Sequence, residues 1–312
     1  MTRRLPERVI AEALKRFDVT VREDNAPLTE AGALAALNDH DAVIPTLGDA
    51  FSAAVFAHGH APRCRLLANF GVGYNHIDVA AARAAGVEVT NTPGAVTDAT
   101  ADIAMTLILM AARRAGEGER LVRSGRWEGW HPTQMLGLHV TGKRLGVIGM
   151  GRIGRAIARR AHFGFGMEIV FFNRSRVEDP GVPAIQARTL HEAMACDIVA
   201  VAVPGGADTR HLIDAAALAA MPPHGVFVNI ARGDVVDETA LIEALRERRI
   251  GAAGLDVYEH EPVVPETLRA LDNAVLLPHL GTAALEVREA MGLMAVENVM
   301  AFFDGRSPPN RV

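Results

Sequence analysis

Three polar side chains interrupt otherwise apolar runs: Arg232 in VNIARGDVVDE, Glu261 in LDVYEHEP and His279 in LLPHLGT. Each falls at the C-terminal end of a candidate strand, the edge where open parallel sheets place their ligands. An arginine offers a rigid fork of donors that matches a carboxylate and can polarise the carbonyl beside it. A histidine gives up and regains a proton near neutral pH. A carboxylate next to the imidazole favours its protonated form and fixes the ring. Together they suit reduction of a 2-keto acid, in which a cation holds the substrate, hydride reaches carbon and an acid protonates oxygen. Singly, each has an ordinary structural role, as a surface ion pair, a loop carboxylate or a packing histidine. The ordered set of three is what points to chemistry.

Such a reaction needs a hydride donor, and RLGVIGMGRIGRAIARRA supplies a place for one. Gly149, Gly151 and Gly154 form G-x-G-x-x-G directly after an apolar strand and at the start of a helix. The first glycine permits the tight turn, the second lets backbone approach a pyrophosphate, and the third lets helix pack on strand, with the helix N-terminus facing the anion. The next strand, EIVFFNRSR, ends in Asn173, Arg174, Ser175 and Arg176, where an NAD enzyme carries an acidic residue for the ribose hydroxyls. Arginines and a hydroxyl would bind a 2′-phosphate that a carboxylate would repel. NADP(H) is therefore favoured, and NAD(H) stays open.

These residues must be positioned by alternating strands and helices. FDVTV, DAVIP, CRLLANFG and VEVTN read as strands of a small α/β domain, with helices over Glu30 to Leu37 and Ile77 to Ala85. The turn-forming Asn91-Thr92-Pro93-Gly94 leads to Thr97-Asp98, which can cap a helix that is apolar nearly all round from Ala99 to Ala112. A polar link from Ala115 to Trp130 follows. A second series then reads RLGVIG, EIVFFN, DIVAVAV, GVFVNIA, GAAGLDV and NAVLLPH as strands. Thr282 to Phe303 is a long amphipathic helix with no strand after it, expected to return to the first domain. The boundaries expected are 1–91 with 283–312 for a discontinuous substrate-binding domain, and 92–282 for the dinucleotide-binding domain.

At 312 residues and nearly half hydrophobic, the chain can bury two cores. A net charge of −5 with both signs interspersed gives no field for nucleic acid or an anionic membrane. Cys64 and Cys196 are too few for a disulfide framework or a cysteine-rich metal site, so no metal is expected. No secretory signal or membrane-length apolar run is visible, and the expected location is the cytoplasm.

NFGVGYNHID at 69–78, NTPGAVTDATADIAMTLIL at 91–109, GMGRIGRAIA, VNIARGDVVDE, AGLDVYEHEP and LLPHLGT resemble, in order, the signatures of the D-isomer-specific 2-hydroxyacid dehydrogenase family. Its glyoxylate and hydroxypyruvate reductase branch is the most similar. The resemblance implies two α/β domains, Rossmann-like and flavodoxin-like with parallel sheets, and an active site in the cleft between them. It places the catalytic arginine on Arg232, the histidine-supporting glutamate on Glu261 and the proton-donating histidine on His279. It implies that the backbone of Val72 and Gly73 binds the substrate carboxylate, with Leu47 and Trp130 along the substrate wall. Asp256 looks like the residue that holds the nicotinamide carboxamide. Thr100, Arg152, Ile153, Val203, Pro204, Thr209, Ile230, Ala231 and Gly281 are expected along the cofactor, with Arg232 and His279 at its reactive end. A homodimer built largely on the apolar helix after Thr97 is also implied, with a tryptophan near Trp130 reaching the neighbouring subunit.

The chain departs from the family at two points. It opens on MTRRLP where several apolar residues usually precede, so a short first strand is expected. Asn173 falls one residue later than the commonest fingerprint spacing. Glu261 argues against the formate dehydrogenase branch, which carries Gln there. A phosphite-oxidising or D-lactate-type enzyme, or a nucleotide-sensing scaffold of corepressor type, would look similar and stays open.

Overall fold

Runs such as IVAV and VFVN are apolar at every position, which a strand can satisfy only when helices cover both faces of its sheet. The computed structural model describes residues 1–58 and 62–312 and shows this arrangement. It divides into two compact units, Met1–Val96 with Thr282–Val312, and Thr97–Gly281.

The first unit contains α1 (Glu7–Leu14), α2 (Glu30–Asp39), β1 (Ala42–Val43), α3 (Ala53–Phe56), β2 (Leu66–Ala68), α4 (Val79–Ala84) and β3 (Glu88–Thr90). The three strands pair in parallel in the order β1-β2-β3. FDVTV, expected as a strand, is not one. Met1 lies alongside it, through Met1 N to Thr20 O at 2.9 Å and Arg22 N to Met1 O at 3.1 Å, and two hydrogen bonds do not make a ladder. Thr2 continues from there to Ile44 O at 3.1 Å.

The second unit runs α5 (Thr97–Ala112), α6 (Ala115–Arg123), β4 (Arg144–Ile148), α7 (Arg152–Phe165), β5 (Glu168–Phe172), β6 (Ala184–Gln186), α8 (Leu190–Met194), β7 (Ile198–Val201), α9 (Ala215–Ala219), β8 (Val226–Asn229), α10 (Glu238–Arg246), β9 (Ala252–Leu255), α11 (Glu266–Arg269) and β10 (Ala274–Leu276). All pairings are parallel, in the order β10-β9-β8-β7-β4-β5-β6. This is the Rossmann arrangement with one further strand, and the order reverses between β4 and β7.

Successive strand residues feed opposite cores. Leu145, Val147, Ile198, Ala200, Val226 and Val228 pack with α5 and α7, while Ile148, Val199, Val201 and Phe227 pack with α8, α9 and α10. Each Val, Leu, Ile and Phe among them contributes about 1.5–3 kcal/mol by leaving water. The apolar residues of α5 are largely spent here, with Leu107 and Ile108 fully buried. The exposed large apolar side chains of this unit include Trp127, Trp130, Leu136 and Phe163.

The chain ends with α12 (Leu285–Phe303), which starts three residues later than the sequence pattern suggests and packs Ala295, Val296 and Val299 against Val9 and Leu66 of the first unit.

Both cysteines are buried and unpaired. Burial pushes the Cys64 thiol up to about 12 and also raises that of Cys196, which keeps both as thiols rather than reactive thiolates. A maleimide at neutral pH is expected to label the folded chain negligibly and to modify both cysteines once denaturant is added. Rapid labelling without denaturant would show that one of these cores opens.

Candidate active site

Five strand ends on one edge of the seven-stranded sheet carry the residues singled out in the sequence. β4 runs into Gly149, Gly151 and Gly154, β7 into Val203 and Pro204, β8 into Ile230, Ala231 and Arg232, β9 into Asp256, and β10 into His279. The parallel order alone places them together.

At the end of β4 the backbone of Gly149 has a φ of +99°, and a Cβ there would lie 2.8 Å from Val203 Cγ1 and 2.9 Å from the Ala202 carbonyl carbon. Gly154 sits so close to Gly149 that a Cβ would fall 2.0 Å from the Gly149 oxygen. Around Gly151, by contrast, a Cβ would meet nothing within 4 Å. The turn is thus tight on its protein side and open at its middle glycine. Gly151 caps α7 without a side-chain acceptor, so the N–H groups of the first turn at Arg152 and Ile153 have no capping partner among the described residues. These features fit a dinucleotide pyrophosphate.

The turn after β5 is more restrained than its sequence suggests. Asn173 Oδ1 accepts from Met150 N at 3.3 Å, and its amide nitrogen donates to Ser175 O at 3.1 Å and Ser175 Oγ at 3.2 Å. Asn173 therefore ties its own turn to the glycine turn. Arg174 pairs with Asp208 at 3.2 Å, with both side chains exposed. Asp208 was not legible as a neighbour, because the β7 loop meets the β5 turn only across the end of β4, which lies between the two strands. In the same loop Thr209 Oγ1 donates to Pro204 O at 2.8 Å.

His279 Nδ1 lies 2.8 Å from Glu261 Oε2, and the other carboxylate oxygen accepts from Tyr258 N at 3.1 Å. Among the described residues Nε2 has no partner, so the ring presents one nitrogen to Glu261 and the other outward. His279 adopts φ +54°, in the left-handed region, and its N–H donates to Asp256 O at 3.0 Å. Burial alone would raise the Glu261 carboxyl. The hydrogen bond and charge of His279, the Tyr258 N–H and the charge of Arg232 outweigh it and hold the group below its ordinary value.

Arg232 is half-buried and its guanidinium donates to Ala231 O at 2.7 Å. It makes no ion pair among the described residues. Burial disfavours its charge, against the pull of Glu261 and Asp234. Its remaining donors are available to a ligand anion. The backbone here is held by Asn229, which donates to Arg232 O at 2.9 Å and accepts from Ala231 N at 3.0 Å.

Asp256, read as a carboxamide holder, is buried and uses both oxygens within the protein, accepting from Leu280 N at 2.6 Å and Gly281 N at 2.8 Å. Burial raises its carboxyl despite these N–H groups. Its visible work is to fix the loop that carries His279. Thr100 reaches the same loop from α5 through Gly281 O at 3.2 Å. Tyr258 was missed as a contributor although it lies within AGLDVYEHEP. Its hydroxyl donates to Leu277 O at 2.9 Å and joins the loops after β9 and β10.

In the first unit, the N–H groups of Val72 and Gly73 donate to no acceptor among the described residues, whereas their carbonyls accept from Asn91 and Asn69 at 3.0 Å each. That leaves two backbone donors on one turn, a local arrangement suited to an anion. Leu47 is exposed beside the buried Asp49. Trp130 lies in a loop of the second unit, 79% exposed. No group of three or more His, Cys, Asp or Glu placed to hold a metal ion occurs among the described residues.

A parallel sheet of this order, with the glycine turn at its switch point and a His–Glu pair beside a free arginine, defines a nicotinamide-dependent oxidoreductase. Residues 105–281 match the NAD-binding domain of the D-isomer specific 2-hydroxyacid dehydrogenases, and the chain belongs to that family. It is 43% identical to glyoxylate reductases of Korarchaeum cryptofilum and Pyrococcus furiosus, each alignment covering 100% of this chain and 94% of the relative. Among solved structures it is similar to the NADPH-dependent glyoxylate/hydroxypyruvate reductase of Sinorhizobium meliloti in complex with NADP and malonate. That match has a TM-score of 0.87 at 36% identity, over 100% of this chain and 95% of the other.

Proposed function

We propose that this dehydrogenase reduces small 2-keto acids, glyoxylate and hydroxypyruvate first among them, to 2-hydroxy acids with NADPH in preference to NADH. The observation that carries the reading is the His279–Glu261 pair at 2.8 Å, set beside an arginine with no carboxylate partner among the described residues. Bound at the Gly149 turn and α7, the cofactor supplies the hydride that reduces the keto carbon. Arg232 holds the substrate carboxylate and draws electron density from the adjacent carbonyl. His279 delivers a proton from Nε2 to the keto oxygen, and Glu261 on Nδ1 compensates the charge of the imidazolium before the proton leaves. In the reverse direction the neutral imidazole takes the hydroxyl proton. Val72 and Gly73 are proposed as a carboxylate-binding turn of the first unit.

Arg174 and Ser175 support the cofactor preference, since a 2′-phosphate can replace Asp208 as the partner of Arg174. The substrate domain is proposed as 1–91 with 283–312 and the cofactor domain as 92–282. A homodimer in the cytoplasm completes the reading, with Trp130, Leu136 and Phe163 rather than α5 alone as the apolar surface for the second copy.

Steady-state rates with glyoxylate, hydroxypyruvate and a longer 2-keto acid, each with NADPH and with NADH, test the proposal. One charge-assisted contact to the 2′-phosphate is worth about tenfold, so kcat/KM for NADPH is expected to exceed that for NADH by at least about that factor. Equal or better efficiency with NADH would overturn the cofactor reading, and a preference for the longer acid would overturn the substrate reading.

A further inference from the structure

A second polar cluster lies behind the catalytic pair and has no part in the proton path. His211 Nε2 meets Glu259 Oε1 at 2.7 Å, and Arg210 reaches the same oxygen at 3.1 Å. Glu259 N donates to Glu238 Oε2 at 3.3 Å, at the start of α10. His211 also uses its backbone, donating from N to Asp234 O at 2.8 Å. It thus grips two loops at once. Its main chain holds the loop after β8, two residues beyond Arg232, while its side chain holds the loop after β9, two residues before Glu261.

Those loops touch directly. At Gly233 a Cβ would fall 1.8 Å from the Tyr258 carbonyl carbon and 2.3 Å from Glu259 N, so the backbone beside Arg232 is pressed against the backbone leading to Glu261. From that junction Tyr258 N binds Glu261, and Glu261 binds His279. His211 holds φ +49°, a left-handed conformation that costs a residue with a side chain about 1 kcal/mol or more. The surrounding contacts impose that conformation, as expected of a residue whose place in the structure is over-determined. The charged and titratable groups around it are Glu259 and Arg210, with Glu238, Asp234 and His260 beyond. Burial raises both glutamates, but the hydrogen bond and charge of His211 hold Glu259 below its ordinary value, whereas Glu238 stays raised.

We infer that His211 is a positioning residue for the reaction proposed above, setting the placement of Arg232 relative to the Glu261–His279 pair by clamping the two loops that carry them. This inference rests on that reading of the site. Its chemistry is a single side-chain hydrogen bond to Glu259, so a side chain that keeps a donor at the same reach preserves it. A misplacement of catalytic groups by a fraction of an ångström is felt in turnover far more than in cofactor binding, because the glycine turn after β4 is held by other residues.

The test compares the full-length parent with His211→Leu, His211→Gln and His279→Ala, using NADPH and glyoxylate. His211→Leu is expected to lower kcat by about 10-fold or more. Its KM for NADPH stays within about twofold. His211→Gln, which can still donate to Glu259, is expected to recover most of the lost kcat. The inference is overturned if His211→Leu keeps parental kcat, if its NADPH KM rises in step with the loss, or if His211→Gln restores nothing. Parental turnover by His279→Ala would instead sink the site reading itself, so the two failures are told apart in one assay.

Discussion

Replacing His279 by alanine is expected to lower kcat with glyoxylate by about three orders of magnitude while leaving NADPH binding intact. That factor corresponds to about 4 kcal/mol of transition-state stabilisation. Its origin is the outward Nε2, the one basic atom at the strand edge with no partner among the described residues, backed by Glu261 on Nδ1. Glu261 is held below its ordinary value, so its negative charge persists across the neutral range and the pair keeps its support wherever the enzyme is assayed. Alanine removes the proton donor and the partner of Glu261, but none of the Gly149, Gly151 and Gly154 turn. Fluorescence titration with NADPH and single-turnover oxidation on the same samples separate the two effects. A variant that binds NADPH normally and still turns over within tenfold of the parent would remove His279 from the mechanism.

Most of the second unit could be read from the chain because its strands are continuous apolar runs, and only a sheet covered on both faces accepts such runs. β4, β7 and β8 follow their sequence patterns closely. β6 (Ala184–Gln186) was not anticipated, being short, at the sheet edge and partly exposed. α6 was read as a polar link because none of its residues is buried, so no apolar stripe marks it. FDVTV failed in the opposite way. Its alternation is strand-like, but a strand is a property of a pair, and among the described residues it finds Met1 alongside it and no laddered neighbour. Arg232 and His279, proposed as catalytic, were legible because each is a polar residue just beyond an apolar strand, whereas Glu261 lies in the loop well past the end of β9. Their support was not legible. The His211–Glu259 contact spans 48 positions and the Arg174–Asp208 contact 34, and each joins loops whose strands are separated by a third, β8 in one case and β4 in the other. Nothing local in TRHLI or GGADT announces either.

Exchanging Arg232 for glutamine is expected to reduce kcat/KM for glyoxylate by about 10³-fold, acting on both KM and kcat. The physical case lies in what the guanidinium lacks. Half-buried, with burial working against its charge, it has a single hydrogen bond among the described residues, to Ala231 O. A cation in that position is costly unless an anion completes it, and on the proposed reading a substrate carboxylate would supply the missing charge and match the fork of donors. Glutamine can occupy the space and keep a donor, but it brings neither charge nor a second parallel N–H. Lysine restores the charge without the fork, so Arg232→Lys should recover part of the loss, chiefly in KM. Glyoxal, which offers the same aldehyde without a carboxylate, isolates the contribution. The parent should strongly prefer glyoxylate to glyoxal, whereas Arg232→Gln should reduce the two with similar kcat/KM. If the glutamine variant kept the parental preference, the carboxylate would have to be held elsewhere, and the two backbone donors at Val72 and Gly73 would become the groups to substitute around next.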